Sequence, residues 1–189
     1  PSVFRIVVVG DSFVFGLGGV EQHEVFTEIL EASAPDVEVI NMGVMGFSLD
    51  QELLYLESAG LKYHPDLVVL ALFENDLDES FVAFNDSINR PKGFVGSTAD
   101  GLQFTPPVVS WFHWLGEYSL IVGKLYRTVL PPRWGTPAPA TTTQELKNRM
   151  FTDMVLQARA DARAADAEFV VIRFPALNAA QPDTLGDIL

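Results

Sequence analysis

Four short apolar runs divide this chain, and the polar positions between them change period from two to helical. Val3 to Val9 (V-F-R-I-V-V-V) is an almost continuous β-branched run stopped by Gly10-Asp11-Ser12, the pattern of a strand buried on both faces. From Glu21 to Ser33, Phe26, Ile29, Leu30 and Ser33 recur at helical spacing with acidic residues opposite, and Pro35 closes the segment. This predicts a helix packed on the strand. Val37 to Ile40 is a second, shorter strand, leading into Asn41-Met42-Gly43 and Gly46. Ser48 then stands three residues before Gln51, a capping-box pattern, and Leu49, Leu53 and Leu56 form an apolar stripe that Gly60 ends. His64-Pro65-Asp66 leads into a third strand, Leu67 to Leu72, ended by Phe73-Glu74-Asn75-Asp76. Strand, helix, strand, helix, strand at this spacing predicts right-handed βαβ units, an α/β domain whose parallel sheet is covered by helices in a three-layer α/β/α arrangement.

Residues 80–142 interrupt the rhythm with aromatic and proline-rich sequence and read as an insertion. Within it, Phe94-Val95 and Leu102-Gln103-Phe104 flank the turn signal Asp100-Gly101, predicting a hairpin. Trp111-Phe112-His113-Trp114 opens a stretch of helical character running to Leu130, before Pro131-Pro132. Thr136 to Thr142 is an extended connector. Thr142 and Glu145 form a second capping box, opening a helix to about Asp166 on which Leu146, Met150, Met154 and Ala158 share a face. Phe169 to Phe174 is the fourth strand, with Pro175 after it. No internal repeat is visible, and residues 1–189 read as one domain.

Composition narrows the function classes. A chain of 189 residues with 48% hydrophobic content, 14 glycines and 12 prolines without period is globular, neither disordered nor fibrous. With no cysteine there is no disulfide framework, thiolate metal site or cysteine nucleophile. A net charge of −13 and no cluster of lysine and arginine remove the electrostatic drive for binding nucleic acid. No apolar run approaches the ~20 residues of a membrane span. Neither compartment nor oligomeric state follows from the pattern.

In an open parallel sheet, ligands bind beyond the carboxyl ends of the strands. Three such ends carry unusual sequence here: Gly10-Asp11-Ser12, Asn41 to Gly46, and Phe73 to Asp76. A hydroxyl at a tight strand-to-helix turn is exposed as a nucleophile must be. A glycine N–H and an asparagine NH₂ aimed at one point would stabilise the oxyanion of a tetrahedral intermediate. Beside these readings stand structural ones: Ser12 as a helix N-cap, Gly46 as a positive-φ glycine, Asn75 as a turn residue, Asp11 and Asp76 as ordering residues. Gly16, Gly18 and Gly19 lack the spacing of a dinucleotide loop.

At these residues the sequence resembles the SGNH (GDSL-type) hydrolases. The first family block is matched by Val9-Gly10-Asp11-Ser12-Phe13, the second by Asn41-Met42-Gly43-Val44-Met45-Gly46, and the third, normally G-x-N-D, by Phe73-Glu74-Asn75-Asp76, with phenylalanine in place of glycine. The resemblance covers residues 4–78 and 143–175. It implies a flavodoxin-like sheet, a nucleophile at Ser12, oxyanion donors at Gly46 and Asn75, and neither metal nor cofactor. It further implies hydrolysis of an acyl ester or an acetylated carbohydrate through an acyl-enzyme. The related alternatives are an O-acyltransferase acting on polysaccharide and a non-catalytic binding module of the same fold.

The fourth family block, a C-terminal D-x-x-H carrying the general base, is not in this sequence, and no histidine follows residue 113. Three explanations compete. The foremost is that a last strand and its base-bearing loop lie outside the chain; the others are an inactive relative, or a base among His23, His64 and His113. The aromatic residues Trp111, Phe112, Trp114 and Tyr118 read either as packing for the insertion or as an acyl-binding wall.

Overall fold

The computed structural model describes residues 3–85, 90–98, 101–107 and 143–174 and the single positions 115, 118, 119, 121 and 124. Its centre is a parallel sheet of β1 (Phe4–Gly10), β2 (Val37–Gly43), β3 (Leu67–Leu72) and β8 (Glu168–Arg173), in the order β2-β1-β3-β8. This is the flavodoxin-like order, with β1 inside and the direction of winding reversing beside it. Among the described residues the helices that accompany the sheet are α1 (Ser12–Phe15), α2 (Phe26–Ser33), α3 (Leu49–Ser58), α4 (Asn75–Glu79) and α5 (Gln144–Ala164). The three-layer α/β/α class expected from the sequence is the one observed.

Strand alternation sorts the core into two halves. Val7 and Val9 of β1, Val68 and Leu70 of β3, and Leu49, Leu53 and Leu56 of α3 pack with Met150, Phe151 and Met154 of α5 on one face. Ile6, Val8 and Ala71 pack with Val14, Phe26 and Phe174 on the other. The β-branched run of β1 is thus buried on both sides, as its lack of alternation predicted.

Four local expectations change. β2 extends through Gly43, three residues beyond the predicted end, because it pairs with β1 in register up to Gly10↔Gly43. The helix expected from Glu21 is a 3₁₀ turn at Gln22–Glu24 and then α2, and Ile29 and Leu30 are exposed instead of facing the sheet. The buried residue of α2 is Thr27, whose hydroxyl accepts a 2.9 Å hydrogen bond from Asn41 Nδ2; a polar bond sets the helix rotation against the apolar stripe. Ser48 is the N-cap of α3 but makes no capping bond with its side chain, which is engaged elsewhere. The second capping residue is Thr143, accepting from the Leu146 N–H, while Thr142 lies outside the described residues.

Part of the insertion is described. Two short antiparallel pairs, β4 (Phe84–Asn85) with β5 (Arg90–Pro91) and β6 (Phe94–Thr98) with β7 (Gly101–Thr105), are followed by isolated helical positions including Tyr118. The second pair is the hairpin predicted around Asp100-Gly101, and its Val95 joins the core beside α3 and α5. Trp111, Phe112, His113 and Trp114 lie outside the described residues. Among the described residues, no helix is long and apolar enough to cross a membrane.

Candidate functional site

Register brings three loops to one rim. Gly10 pairs with Gly43 of β2 on one side and Ala71 of β3 on the other, so the segments carrying Ser12, Gly46 and Asn75 leave the sheet at the same height, with Ser12 in the middle. Neighbouring strands lie ~4.8 Å apart, which sets the scale on which the three loops face one another. The rim is held together by backbone and side-chain bonds. The Val44 N–H donates to the Gly10 carbonyl at 3.0 Å, and the Phe174 N–H to the Leu72 carbonyl at 2.9 Å. Phe13 packs on Phe73 with ring centroids 4.2 Å apart and on Phe174 at 5.5 Å. The phenylalanine that departs from the family pattern therefore fastens the third loop to the residue after Ser12.

Ser12 is not the N-cap. Asp11 takes that position, accepting from the Phe13 N–H at 2.9 Å, and Ser12 is the first residue of a single helical turn. Asp11 is thereby the loop-ordering residue the sequence suggested, and the Ser12 side chain is left half-buried at the turn. Burial raises the Asp11 pKa, opposed by the N–H groups of Phe13 and Ser12 and by the Ser12 hydroxyl. Close behind the turn runs β2, where Gly43 has a packing reason: a Cβ there would lie 2.6 Å from the Val14 carbonyl carbon. Asn41, two residues before Gly43 and on the same strand face as Val39, donates from Nδ2 to the Val14 carbonyl at 2.7 Å and accepts from the Gly43 N–H at 2.9 Å. It ties the Ser12 turn to β2 and α2 together.

Gly46 has φ +74°, the conformation for which its structural reading called. Asn75 opens α4, and its side chain makes no hydrogen bond to a described residue; Oδ1 is buried without a partner. Asp76 orders the turn, as the sequence suggested, its Oδ2 accepting the Phe73 N–H at 2.7 Å. Glu74 is half-buried at the N-cap of α4.

Beneath the rim lies a group of carboxyls that sequence reasoning missed. Asp11, Asp50, Glu52 and Asp76 are all buried, with Lys92 as the one buried cation among the described residues. Lys92 Nζ donates to Asp50 Oδ1 at 2.8 Å and to Ser48 Oγ, and Ser48 Oγ donates to Asp50 Oδ1 at 2.8 Å. Asp50 Oδ2, both Glu52 oxygens and Asp76 Oδ1 have no hydrogen-bond partner among the described residues. Burial pushes Asp50 up to about 6, against the pull of Lys92. Burial, with the like charges of Asp76, Asp11 and Asp50, holds Glu52 well above the ordinary carboxylate range, and burial does the same to Asp76. Four carboxylates cannot all ionise around one ammonium, and the proton is held more tightly at Glu52 than at an ordinary carboxyl. No group of three acidic or histidine side chains among the described residues is arranged to hold a metal ion. One sequence signal was available: Glu52 falls three residues after Leu49 on the apolar stripe of α3.

Of the three histidines, His23 is exposed and pairs with Glu21 at 3.8 Å, and His64 sits at the opposite rim before β3 with φ +52°. Neither hydrogen-bonds Ser12, and His113 is outside the described residues.

No family model matches the chain, and no curated protein matches it in sequence. Solved structures with a similar arrangement include AlinE4, an SGNH-hydrolase family esterase, at 20% identity and TM-score 0.37 over 90% of this chain and 76% of that one. A member of the lipolytic protein G-D-S-L family from Veillonella parvula DSM 2008 is similar at 14% identity and TM-score 0.36, over 88% and 76%. A lipase/acylhydrolase from Enterococcus faecalis is similar at 16% identity and TM-score 0.34, over 88% and 74%. Likenesses at this level assign no residue a role.

Proposed function

We propose that the chain is a serine hydrolase acting on ester bonds through an acyl-enzyme. The observation behind this reading is the meeting of three loops on one rim around a serine that caps nothing, flanked by an asparagine whose side chain is bonded to no described residue. In this reading, Ser12 Oγ attacks the acyl carbonyl carbon and its proton passes to a base. The tetrahedral oxyanion is held by the N–H groups of Ser12 and Gly46 and by Asn75 Nδ2. Collapse breaks the bond to the leaving alcohol, which takes up the proton, and water attacking the acyl-serine regenerates the hydroxyl. Among the described residues no histidine hydrogen-bonds Ser12, and the scheme names no residue as the base. No metal or cofactor enters the scheme, and the substrates are small acyl esters or acetylated carbohydrates.

That neither described histidine reaches Ser12 favours the other reading, a non-catalytic module of the same fold. One experiment separates them: fluorophosphonate labelling and p-nitrophenyl acetate turnover of the wild-type chain and Ser12→Ala. Labelling and turnover that vanish in the variant support the hydrolase. Activity unchanged by the substitution removes Ser12 from the mechanism, and a wild type inert to both reagents supports the module.

A further inference from the structure

Lysine is rarely buried without a task, because its ammonium must be desolvated and paired. Lys92 comes from the insertion, between β5 and β6, in a segment pinned by the Lys92 N–H to the Ala83 carbonyl at 3.0 Å. Its side chain is 3% exposed and ends on a fully buried Asp50, 2.8 Å away. It also bonds Ser48 Oγ, and Ser48 is two residues past Gly46 and starts α3. The hydroxyl that would ordinarily cap α3 is diverted into this bond. The loop from Val44 to Ser48 is therefore held at its first end by the Gly10 carbonyl and at its last by a cation from another part of the chain. The charged pair lies too deep to touch a substrate at the rim.

We propose that Lys92 is a positioning residue: through Ser48 and Asp50 it locks the Gly46 loop in the geometry the oxyanion requires, making the insertion a structural part of the site. The proposal rests on the hydrolase reading for its effect on rate, but the tether itself is a statement about the loop.

The test compares wild type, Lys92→Met, and Lys92→Met with Asp50→Asn in the full chain; the double variant removes both charges and remains foldable where the single one leaves Asp50 stranded. Losing a buried charge-assisted bond should speed amide exchange at residues 44–47 by about tenfold to a hundredfold, with β1 and β3 amides unchanged. Fluorophosphonate labelling of Ser12 and kcat should fall by about tenfold, with KM altered less than twofold. A folded variant with wild-type exchange at residues 44–47 and wild-type kcat overturns the proposal. If the wild type is neither labelled nor active, the hydrolase reading fails while exchange still judges the tether. Faster exchange with unchanged kcat also overturns it, since the lock would then serve no geometry needed for the reaction.

Discussion

The loops on either side of Ser12 leave the sheet at the same height but are held by opposite devices. The Gly46 loop ends on a carboxylate that is paired with a cation, Asp50 with Lys92. The Asn75 turn rests on Asp76 and, behind it, Glu52, carboxyls with buried oxygens that no described group satisfies. A charge pair resists displacement by its own attraction, whereas a cluster of unpaired carboxyls is stable only while it keeps its protons. One flank is held by an ion pair and the other by carboxyls without a cation, and the two should respond differently to substitution.

The largest contrast is expected at the proposed oxyanion donor, Asn75. Asn75→Ala should lower kcat by about 10²–10³, the usual cost of one oxyanion donor. Because Asn75 Oδ1 satisfies no described partner, the same variant should unfold at no lower urea concentration than wild type. Loss of stability parallel to loss of rate would make Asn75 a structural residue.

Next in size is the dependence on pH. Asp50 sits at about 6 instead of 3.8, so the folded state binds its proton more tightly than the unfolded chain does. Its contribution is fully present below about pH 4 and is lost as pH rises through 6, on the order of 3 kcal/mol in total. The shifts of Asp11, Glu52 and Asp76 have the same sign. Urea midpoints should therefore fall between pH 4 and pH 7, and a midpoint rising over that range would contradict the protonated cluster.

The smallest effect isolates the unpaired flank. Glu52→Gln removes the ionisable group while keeping its shape, and should raise Tm by about 3 °C at pH 8, with no change at pH 4. A gain equal at both pH values would point to packing, not to the proton.

Much of this was legible from residue order. The β-branched runs predicted four strands, and β3 matches its predicted bounds because its ends are marked by Pro65-Asp66 and Phe73. The apolar stripe of α3 is buried as read. The candidate loops, too, were found where strands end. What misled was treating polar residues as local signals. Ser48 looked like a cap but bonds Lys92, 44 residues away, and Thr27 turned α2 through a bond to Asn41 that no periodicity contains. The stacking of Phe13 on Phe73 and Phe174 likewise joins residues that only the sheet order makes neighbours.

Hydrophobic period and strand-end residues by themselves determined the layers, the strand set and the three segments that could carry chemistry, since burial acts on each residue according to its own face. Only the tertiary structure decided that Asp11 caps in place of Ser12, that Lys92 bonds Ser48 and Asp50, and that burial raises the Glu52 pKa. The reason is physical: an apolar side chain needs only to leave water, but a buried hydroxyl or charge needs a particular partner at a particular distance, and the partner comes from wherever the fold brings the chain back.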